Sequence, residues 1–278
     1  MGDQRTLASL SRIRSISLPL TDKDTYVTDP DMPRSLFSRI FLRPLISFYP
    51  QVFWIVWRNS RKALKGVYDG DDWANSSRDI LRALENVGVC LEIKGLDNLR
   101  GFEGPAVFIA NHMSTLETFV LPCIIHPLKP VTFVVKKSLV SAPVFGPIMR
   151  SRDPILVGRT NPRDDLKTVL NEGAKKIEQG ISVIIFPQST RSAVFKPEEF
   201  NSLGIKLALK AGATVVPIAL KTDAWGTGKL IKDFGPVDRN KKVLFAIGEP
   251  MKIKDRGAEE HQKVIDFIRN NLAKWAAQ

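Results

Sequence analysis

Short runs of apolar residues alternate with amphipathic stretches from about residue 88 onward. The amphipathic stretches recur with a helical period and lie at 115–125, 163–178, 202–211 and 258–275. The apolar runs are rich in β-branched residues and lie at 89–93, 106–110, 131–135, 154–158, 182–186, 214–220 and 243–248. Near-continuous apolar strands separated by helices indicate a sheet that is covered on both faces. The pattern therefore predicts an α/β fold with a central, mostly parallel or mixed sheet flanked by helices.

The region before this pattern divides the chain into three parts. Residues 1–35 are polar, rich in Ser, Arg and Asp, and without periodicity, so we expect a flexible tail there. Residues 36–66 are strongly apolar but interrupted by charges and prolines. Residues 67–278 then form the predicted α/β domain.

The segment 36–66 predicts an N-terminal amphipathic hairpin of two helices that associates with a membrane. Arg39 and Arg43 share one helical face, and Pro50 is expected to separate this helix from a second apolar piece. The second piece carries Trp54 and Trp57 and ends in the basic residues Arg58, Arg61, Lys62 and Lys65. The longest unbroken apolar run has six residues, far short of a membrane span. Tryptophan beside basic side chains suits a lipid headgroup boundary, so we expect the hairpin to lie in one leaflet. The alternative is a helical pair packed on the protein's own core.

The charge of the chain favours an anionic partner. The formal net charge is +12, and residues 1–65 supply half of it, with eleven Lys or Arg against five Asp. A basic excess suits nucleic acid, anionic lipid or a phosphorylated small substrate, and charge alone does not choose among them. Because no nucleic-acid-binding motif accompanies the charge, we expect no nucleic-acid partner. Two cysteines and three histidines without paired spacing predict no metal site.

A histidine follows the predicted strand 106–110 directly. His112 is therefore expected at the rim of the sheet, where it can take a proton from a hydroxyl near neutral pH. A base of this kind needs a partner that fixes its tautomer, and Glu117 can meet His112 if the histidine lies in a turn and the glutamate in the first turn of a helix. Ser114 and Glu117 also fit a helix capping box, which is the purely structural alternative for this glutamate.

A second polar loop follows the predicted strand 182–186. It runs from Phe186 to Ser192 with the sequence FPQSTRS, and it combines three hydroxyl residues with Arg191. An arginine can grip a phosphate with two parallel hydrogen bonds, and hydroxyls and turn amides supply further donors. The loop therefore predicts a phosphate-binding site, with an ordinary surface arginine as the alternative.

Taken together, these loops and two further blocks resemble the glycerolipid acyltransferase family, whose familiar members are the 1-acylglycerol-3-phosphate acyltransferases. The family pattern is N-H-x-x-x-x-D, then K-x-x-L and P-x-x-G with a later arginine, then F-P-E-G-T-R-S, then an apolar block centred on V-P. This chain has the corresponding blocks in the same order, at Asn111-His112 with Glu117, Lys136 to Leu139, Pro143 to Gly146, Arg159, Phe186 to Ser192 and Val216 to Ile218. The resemblance covers roughly residues 88–250.

The resemblance implies an O-acyltransferase of phospholipid biosynthesis, peripheral or monotopic on the cytoplasmic face of a membrane. It implies that His112 deprotonates the acceptor hydroxyl and that Glu117 orients His112. The residues implied to hold the phosphate of the acceptor are Arg191, Arg159, Lys136, Thr190 and Ser189. The acyl group would pass from acyl-CoA or acyl carrier protein to a lysophospholipid, with 1-acylglycerol-3-phosphate as the leading candidate. Neither a cofactor nor a covalent acyl-enzyme is expected.

Two departures from the family pattern bear on the acceptor. Glu117 stands where the family has Asp, which keeps the charge but changes its reach. Gln188-Ser189 replaces Glu-Gly, which removes a carboxylate and a residue that adopts left-handed backbone angles easily. A different hydroxylated or aminated lipid acceptor stays open, as does a lipid-binding protein that kept the fold and lost catalysis. A nucleophilic hydrolase is disfavoured because no G-x-S-x-G motif occurs.

Overall fold

The fold is built around one mixed sheet. The computed structural model describes residues 17–31, 44–188, 190–228 and 232–277. The strands of this described part are β1 (Thr25–Val27), β2 (Leu91–Lys94), β3 (Ala106–Ala110), β4 (Val131–Lys136), β5 (Ile155–Val157), β6 (Ser182–Ile185), β7 (Thr214–Lys221) and β8 (Val243–Ile247). Their order across the sheet is β1-β2-β8-β7-β3-β6-β4-β5. The half from β7 to β5 is parallel throughout, whereas β8 runs antiparallel to β7, and β1 antiparallel to β2.

Helices cover both faces of the sheet. They are α1 (Pro44–Leu64), α2 (Gly70–Asn86), α3 (Asp97–Arg100), α4 (Leu116–Ile125), α5 (Lys137–Val140), α6 (Phe145–Arg150), α7 (Pro162–Glu178), α8 (Leu203–Ala211) and α9 (Ala258–Ala276), with a 3₁₀ turn at Pro197–Glu199. The core on one face joins α1, α2 and α4, and the core on the other joins α7, α8 and α9. Strand β3 contributes Phe108 to the first core and Val107 and Ile109 to the second. Because both faces are covered, the ends of the strands are the places at which a ligand site is expected.

All seven apolar runs predicted as strands form strands of this sheet, and the predicted α/β class is confirmed. The boundaries differ by at most two residues, and the run 106–110 matches β3 at both ends. The run at 89–93, for example, becomes a strand only at Leu91, because the Val89 N–H donates to the Leu84 carbonyl and closes the end of α2.

The expectation of a flexible tail up to residue 35 is wrong for residues 17–31. Strand β1 pairs with β2 at the edge of the sheet, and Tyr26 and Thr28 donate hydrogen bonds to the buried carboxylate of Glu85 at 2.8 and 2.7 Å. Ser17 bonds to Asp71 through its backbone N–H. These long-range partners order a polar stretch that has no periodicity of its own.

The predicted division at Pro50 is also wrong, because α1 continues through that residue. One face of α1 packs into the core through Phe48, Val52 and Ile55, and the Phe48 ring meets the Trp225 ring at 4.8 Å. A proline removes only one backbone hydrogen bond of the helix, and this packing offsets the loss. The first part of the predicted hairpin, residues 36–43, lies outside the described residues.

Helix α1 pairs with α2, a helix that sequence analysis did not predict. Lys62 pairs with Asp72 at 2.8 Å and Arg58 with Asp79 at 2.8 Å, so the two helices run antiparallel. The helical pair therefore lies at residues 44–86, C-terminal to the expected 36–66, and one side of it packs on the domain. Among the described residues, none of the helices has the length and apolar character needed to cross a bilayer.

Candidate active site

The polar loops identified from the sequence meet at one edge of the sheet. Strands β3 and β6 are adjacent and parallel, so the residues that follow them lie side by side at their carboxyl ends. The turn 111–115 follows β3 and the loop 186–192 follows β6. The Ser192 N–H donates to the His112 carbonyl at 2.9 Å, and this bond ties the two loops together.

His112 and Glu117 form the predicted pair. Nδ1 of His112 lies 2.9 Å from Oε1 of Glu117, across a turn that ends where α4 begins at Leu116. The Glu117 side chain is fully buried, whereas that of His112 keeps 14% of its surface exposed. Because a carboxylate can only accept, the contact assigns a proton to Nδ1, and in the neutral imidazole the lone pair is therefore on Nε2. The pair therefore has the tautomer that a general base requires.

Glu117 is surrounded by hydrogen-bond donors. Its Oε1 accepts from the backbone N–H groups of Met113 at 2.7 Å and Ser114 at 2.8 Å. Its Oε2 accepts from the hydroxyls of Ser114 at 3.0 Å and Thr222 at 2.5 Å. Burial alone would raise the pKa of Glu117, but the hydrogen bond and charge of His112, together with these donors, outweigh burial and hold the pKa below its ordinary value. The carboxylate is therefore ionised at neutral pH, and it caps the turn as well as pairing with His112.

Aromatic rings support the imidazole from behind. The Phe186 ring stacks on His112 with centroids 4.3 Å apart and an interplanar angle of 16°. Phe133 stacks in turn at 6.0 Å from Phe186. The ring of His112 is thus fixed by one hydrogen bond in its plane and by a stacked ring on its face, which limits its rotation.

Arg191 lies against the His112 turn, as the phosphate-site hypothesis requires. Its guanidinium contacts the hydroxyl of Thr115, three residues after His112. The guanidinium also pairs with Asp233 at 2.6 Å, and Thr115 donates to the same carboxylate oxygen at 3.0 Å. Arginine and hydroxyl donors therefore converge on one anionic oxygen beside the turn that carries His112.

Gln188, which stands where the family pattern has Glu, has a structural role. Its Oε1 accepts the backbone N–H of His112 at 2.6 Å, and its side chain is buried. Thr190 is exposed, and Ser189 lies outside the described residues. Gln188 therefore fixes the backbone of the His112 turn without adding a negative charge beside the imidazole.

The two remaining predicted phosphate ligands lie farther along the same edge. Lys136 ends β4, one strand beyond β6, and its side chain is exposed. Arg159 follows β5, one strand farther, with a left-handed φ of 59° and its backbone N–H bonded to Asp165 at 2.8 Å. Neighbouring strands lie about 4.8 Å apart, so the backbone of Arg159 is about 14 Å from β3 across the sheet. The structure thus brings Arg191 to His112 and leaves Lys136 and Arg159 one and two strands beyond β6.

Sequence analysis missed three residues of this site, Thr115, Thr222 and Asp233. Thr222 directly follows β7, the other parallel neighbour of β3, so a search of every strand end would have found it. Asp233 lies in the long connection between β7 and β8, and no local pattern distinguishes it from other loop carboxylates.

Comparison with known proteins agrees with this geometry. Residues 90–221, which include His112, Glu117 and Arg191, match the protein-family model described as Acyltransferase. This part of the chain is similar to the acyltransferase family. The expected resemblance to the 1-acylglycerol-3-phosphate acyltransferases is confirmed, because curated proteins with that name match about half of this chain.

Three of these acyltransferase relatives illustrate the extent of the similarity. The 1-acyl-sn-glycerol-3-phosphate acyltransferase of Pseudomonas aeruginosa is 36% identical over 132 residues, which are 48% of this chain and 49% of that protein. The chloroplastic LPAT1 of Arabidopsis thaliana is 31% identical over 51% of this chain and 37% of that protein. The matched segment therefore spans about half or less of these relatives. The crystal structure of the 1-acyl-sn-glycerophosphate acyltransferase of Thermotoga maritima superimposes with a TM-score of 0.62, at 19% identity, over 88% of this chain and 99% of that one. It shows that this chain has the same fold.

Proposed function

We propose that the protein transfers a fatty acyl group from a thioester donor to the hydroxyl of a lysophospholipid, with 1-acylglycerol-3-phosphate as the first acceptor to test. The observation that carries the proposal is the buried, ionised Glu117 bonded to Nδ1 of His112, with Arg191 against the same turn. The names of the relatives support acyl transfer to a phosphate-bearing acceptor.

In the proposed reaction, His112 acts first as a base and then as an acid. Nε2 takes the proton of the acceptor hydroxyl as its oxygen attacks the thioester carbonyl. The tetrahedral intermediate then collapses with loss of the thiolate, which receives the proton from the imidazolium. Glu117 stabilises the imidazolium while it exists. The acyl group moves directly to the acceptor, so neither a covalent acyl-enzyme nor a cofactor is needed.

Arg191 and Thr115 supply the donors for the phosphate of the acceptor. A guanidinium matches the geometry of phosphate oxygens and stays charged at every working pH. Lys136, Arg159 and the hydroxyls of Thr190 and Ser189 would add positive potential and donors along the same edge of the sheet. This potential would also attract the phosphate-bearing carrier of the acyl group, either coenzyme A or acyl carrier protein.

The outer face of α1 supports association with a lipid surface. Phe53, Trp54 and Trp57 expose 63%, 57% and 37% of their surfaces. The two indoles stack at 5.1 Å, and Arg61 lies 5.1 Å over the ring of Trp57. Exposed aromatic rings beside cationic side chains favour the boundary between lipid headgroups and acyl chains. We propose peripheral or monotopic binding through this face, on the cytoplasmic side where acyl thioesters are made.

A product assay tests the proposed activity. Purified protein is incubated with vesicles, with labelled acyl-CoA or labelled acyl carrier protein, and with one lysophospholipid at a time. The proposal expects a labelled diacyl product with at least one acceptor. Release of free fatty acid without a lipid product would instead identify a thioester hydrolase, and lipid binding without turnover of any donor would identify a binding protein.

A further inference from the structure

The proposed phosphate donors already have an anionic partner within the chain. Oδ1 of Asp233 lies 2.6 Å from Arg191 and accepts the hydroxyl hydrogen bond of Thr115 at 3.0 Å. One carboxylate oxygen thus occupies the position at which these two donors converge. A phosphate oxygen bound by Arg191 would have to share these donors with Asp233 or displace it.

Asp233 is held at this position by the segment that carries it. Two residues on, the carbonyl of Gly235 accepts a hydrogen bond of 2.5 Å from the Tyr49 hydroxyl of α1. The ring of Phe234 also packs against Tyr49, with centroids 5.3 Å apart. The carboxylate nevertheless keeps 51% of its side-chain surface exposed. It is therefore a fixed negative charge at the open side of the site and not a buried structural ion pair.

A fixed negative charge beside a phosphate site does not affect all acceptors equally. A phosphomonoester such as 1-acylglycerol-3-phosphate carries between one and two negative charges at neutral pH, whereas a phosphodiester lysophospholipid carries one on its phosphate. Like charges at short distance repel, so the more highly charged headgroup loses more binding energy next to Asp233. The ion pair with Arg191 also neutralises part of the attraction that the headgroup would otherwise feel.

We propose that Asp233 is a specificity-determining residue of the acceptor site, which lowers the preference for phosphomonoester acceptors relative to phosphodiester lysophospholipids. This inference rests on the proposed acyl transfer and on Arg191 as the phosphate ligand. In the neighbouring loop 186–192, Gln188 is uncharged. Among the described residues, the carboxylate nearest to Arg191 is instead that of Asp233 in the β7–β8 connection.

The test compares Asp233→Asn with wild type. The amide oxygen can still accept from Arg191 and Thr115, so the substitution removes the charge and keeps the shape. kcat/KM is measured with 1-acylglycerol-3-phosphate and with lysophosphatidylglycerol, a phosphodiester whose headgroup has no cation. The ratio of the two values should rise about five- to tenfold in favour of the phosphomonoester, the effect of removing one like charge near the surface.

Asp238→Asn is the matched control. Asp238 lies in the same connection and accepts a hydrogen bond from the Asn240 N–H at 3.0 Å, an interaction that an amide oxygen preserves. This control removes the same charge without touching Arg191, so its acceptor ratio should equal that of wild type. An unchanged ratio in Asp233→Asn, or an equal loss with both acceptors, would overturn the inference and leave the acyltransferase function standing.

A binding measurement separates failure of the inference from failure of the proposed function. The affinity for inorganic phosphate is measured by calorimetry with wild type, Asp233→Asn and Asp238→Asn. Tighter binding by Asp233→Asn alone is the expected result. If neither wild type nor any variant turns over an acceptor, but Asp233→Asn binds inorganic phosphate more tightly, then Asp233 opposes phosphate binding as inferred. In that case the proposed acyl transfer is wrong. If phosphate affinity does not change, the inference itself is wrong.

Discussion

The hydroxyl of Thr222 lies 2.5 Å from Oε2 of Glu117, although 105 residues separate the two in the chain. This contact joins the end of β7 to the turn after β3 and supplies one of the donors that keep the carboxylate ionised. The family pattern has Asp where this chain has Glu. The longer side chain is accommodated because donors from the turn and from Thr222 hold both of its oxygens.

Replacing Thr222 with Val should impair the orientation of Glu117 without changing the acceptor site. A hydrogen bond to a charged group contributes about 1.5–3 kcal/mol, and a loss of 1.4 kcal/mol in the transition state lowers the rate about tenfold. We therefore expect kcat to fall about tenfold with KM for the lysophospholipid unchanged. Thr222→Ser restores the donor and should restore kcat. A Val variant with normal kcat would show that Thr222 has only a packing role.

The lowered pKa of Glu117 gives the unfolding free energy a defined dependence on pH. The pKa of Glu117 in the folded state lies below its ordinary value. The ionised carboxylate therefore stabilises the fold fully at pH values above the ordinary pKa of a glutamate. This contribution is lost as the pH falls through the folded-state pKa. Glu117→Gln lacks this contribution and should be less stable at pH 7, by about 3 kcal/mol for a disrupted buried pair. Urea unfolding of both proteins between pH 7 and pH 3 should show the difference shrinking towards acid. A difference that is constant with pH would contradict the assignment of Glu117 as the ionised partner.

Arg191 should determine the affinity for the acceptor. Arg191→Ala removes the guanidinium and leaves Asp233 without its partner, so kcat/KM for 1-acylglycerol-3-phosphate should fall by about a hundredfold, the scale of a lost charge-assisted interaction of about 3 kcal/mol. Arg191→Lys keeps the charge but not the bidentate geometry and should recover only part of the loss. Arg269→Ala is the matched control, because Arg269 pairs with Asp266 on α9, away from the site. Equal losses in the Arg191 and Arg269 variants would exclude a specific role in binding.

The exposed aromatic face of α1 should control membrane binding. Trp54→Ala removes an indole that is 57% exposed, so the fold should keep its stability while the affinity for vesicles of phosphatidylcholine and phosphatidylglycerol falls about tenfold. Leu209→Ala, at an exposed residue of α8 on the other face of the sheet, is the control and should bind like wild type. Sedimentation with vesicles measures both. Unchanged binding by Trp54→Ala would leave α1 as a structural helix only.

The sequence was sufficient for the parts of the fold that depend on local patterns. Buried parallel strands appear as apolar runs such as 106–110, and the residues that follow them lie at the strand ends, which located His112 and Arg191. The three-residue strand β1 carries no such run, and its partners, Glu92 to Lys94 on β2 and Glu85 on α2, are distant in the chain. It could not be predicted from local sequence.

Long-range pairing also explains what the sequence left out of the site. Thr115 and Asp233 are 118 residues apart, and they meet because the β7–β8 connection crosses the edge at which β3 ends. The order of the strands in the sheet determines such contacts. The spacing of apolar residues along the chain does not reveal that order. The run of α1 through Pro50 is a different case, because burial of Phe48 and Val52 on both sides of the proline overrode the local preference for a break.

The most direct test of the account is the rate of acyl transfer by His112→Ala, measured beside wild type and beside His261→Ala. His261 lies in α9, where its ring stacks on Phe200 outside the proposed site. The His261→Ala variant therefore shows the effect of losing an imidazole elsewhere in the protein. A general base contributes about 10²–10⁴-fold, so His112→Ala should lose activity by that factor while His261→Ala stays within about twofold of wild type. Formation of diacyl product by His112→Ala at the wild-type rate would contradict the proposed chemistry.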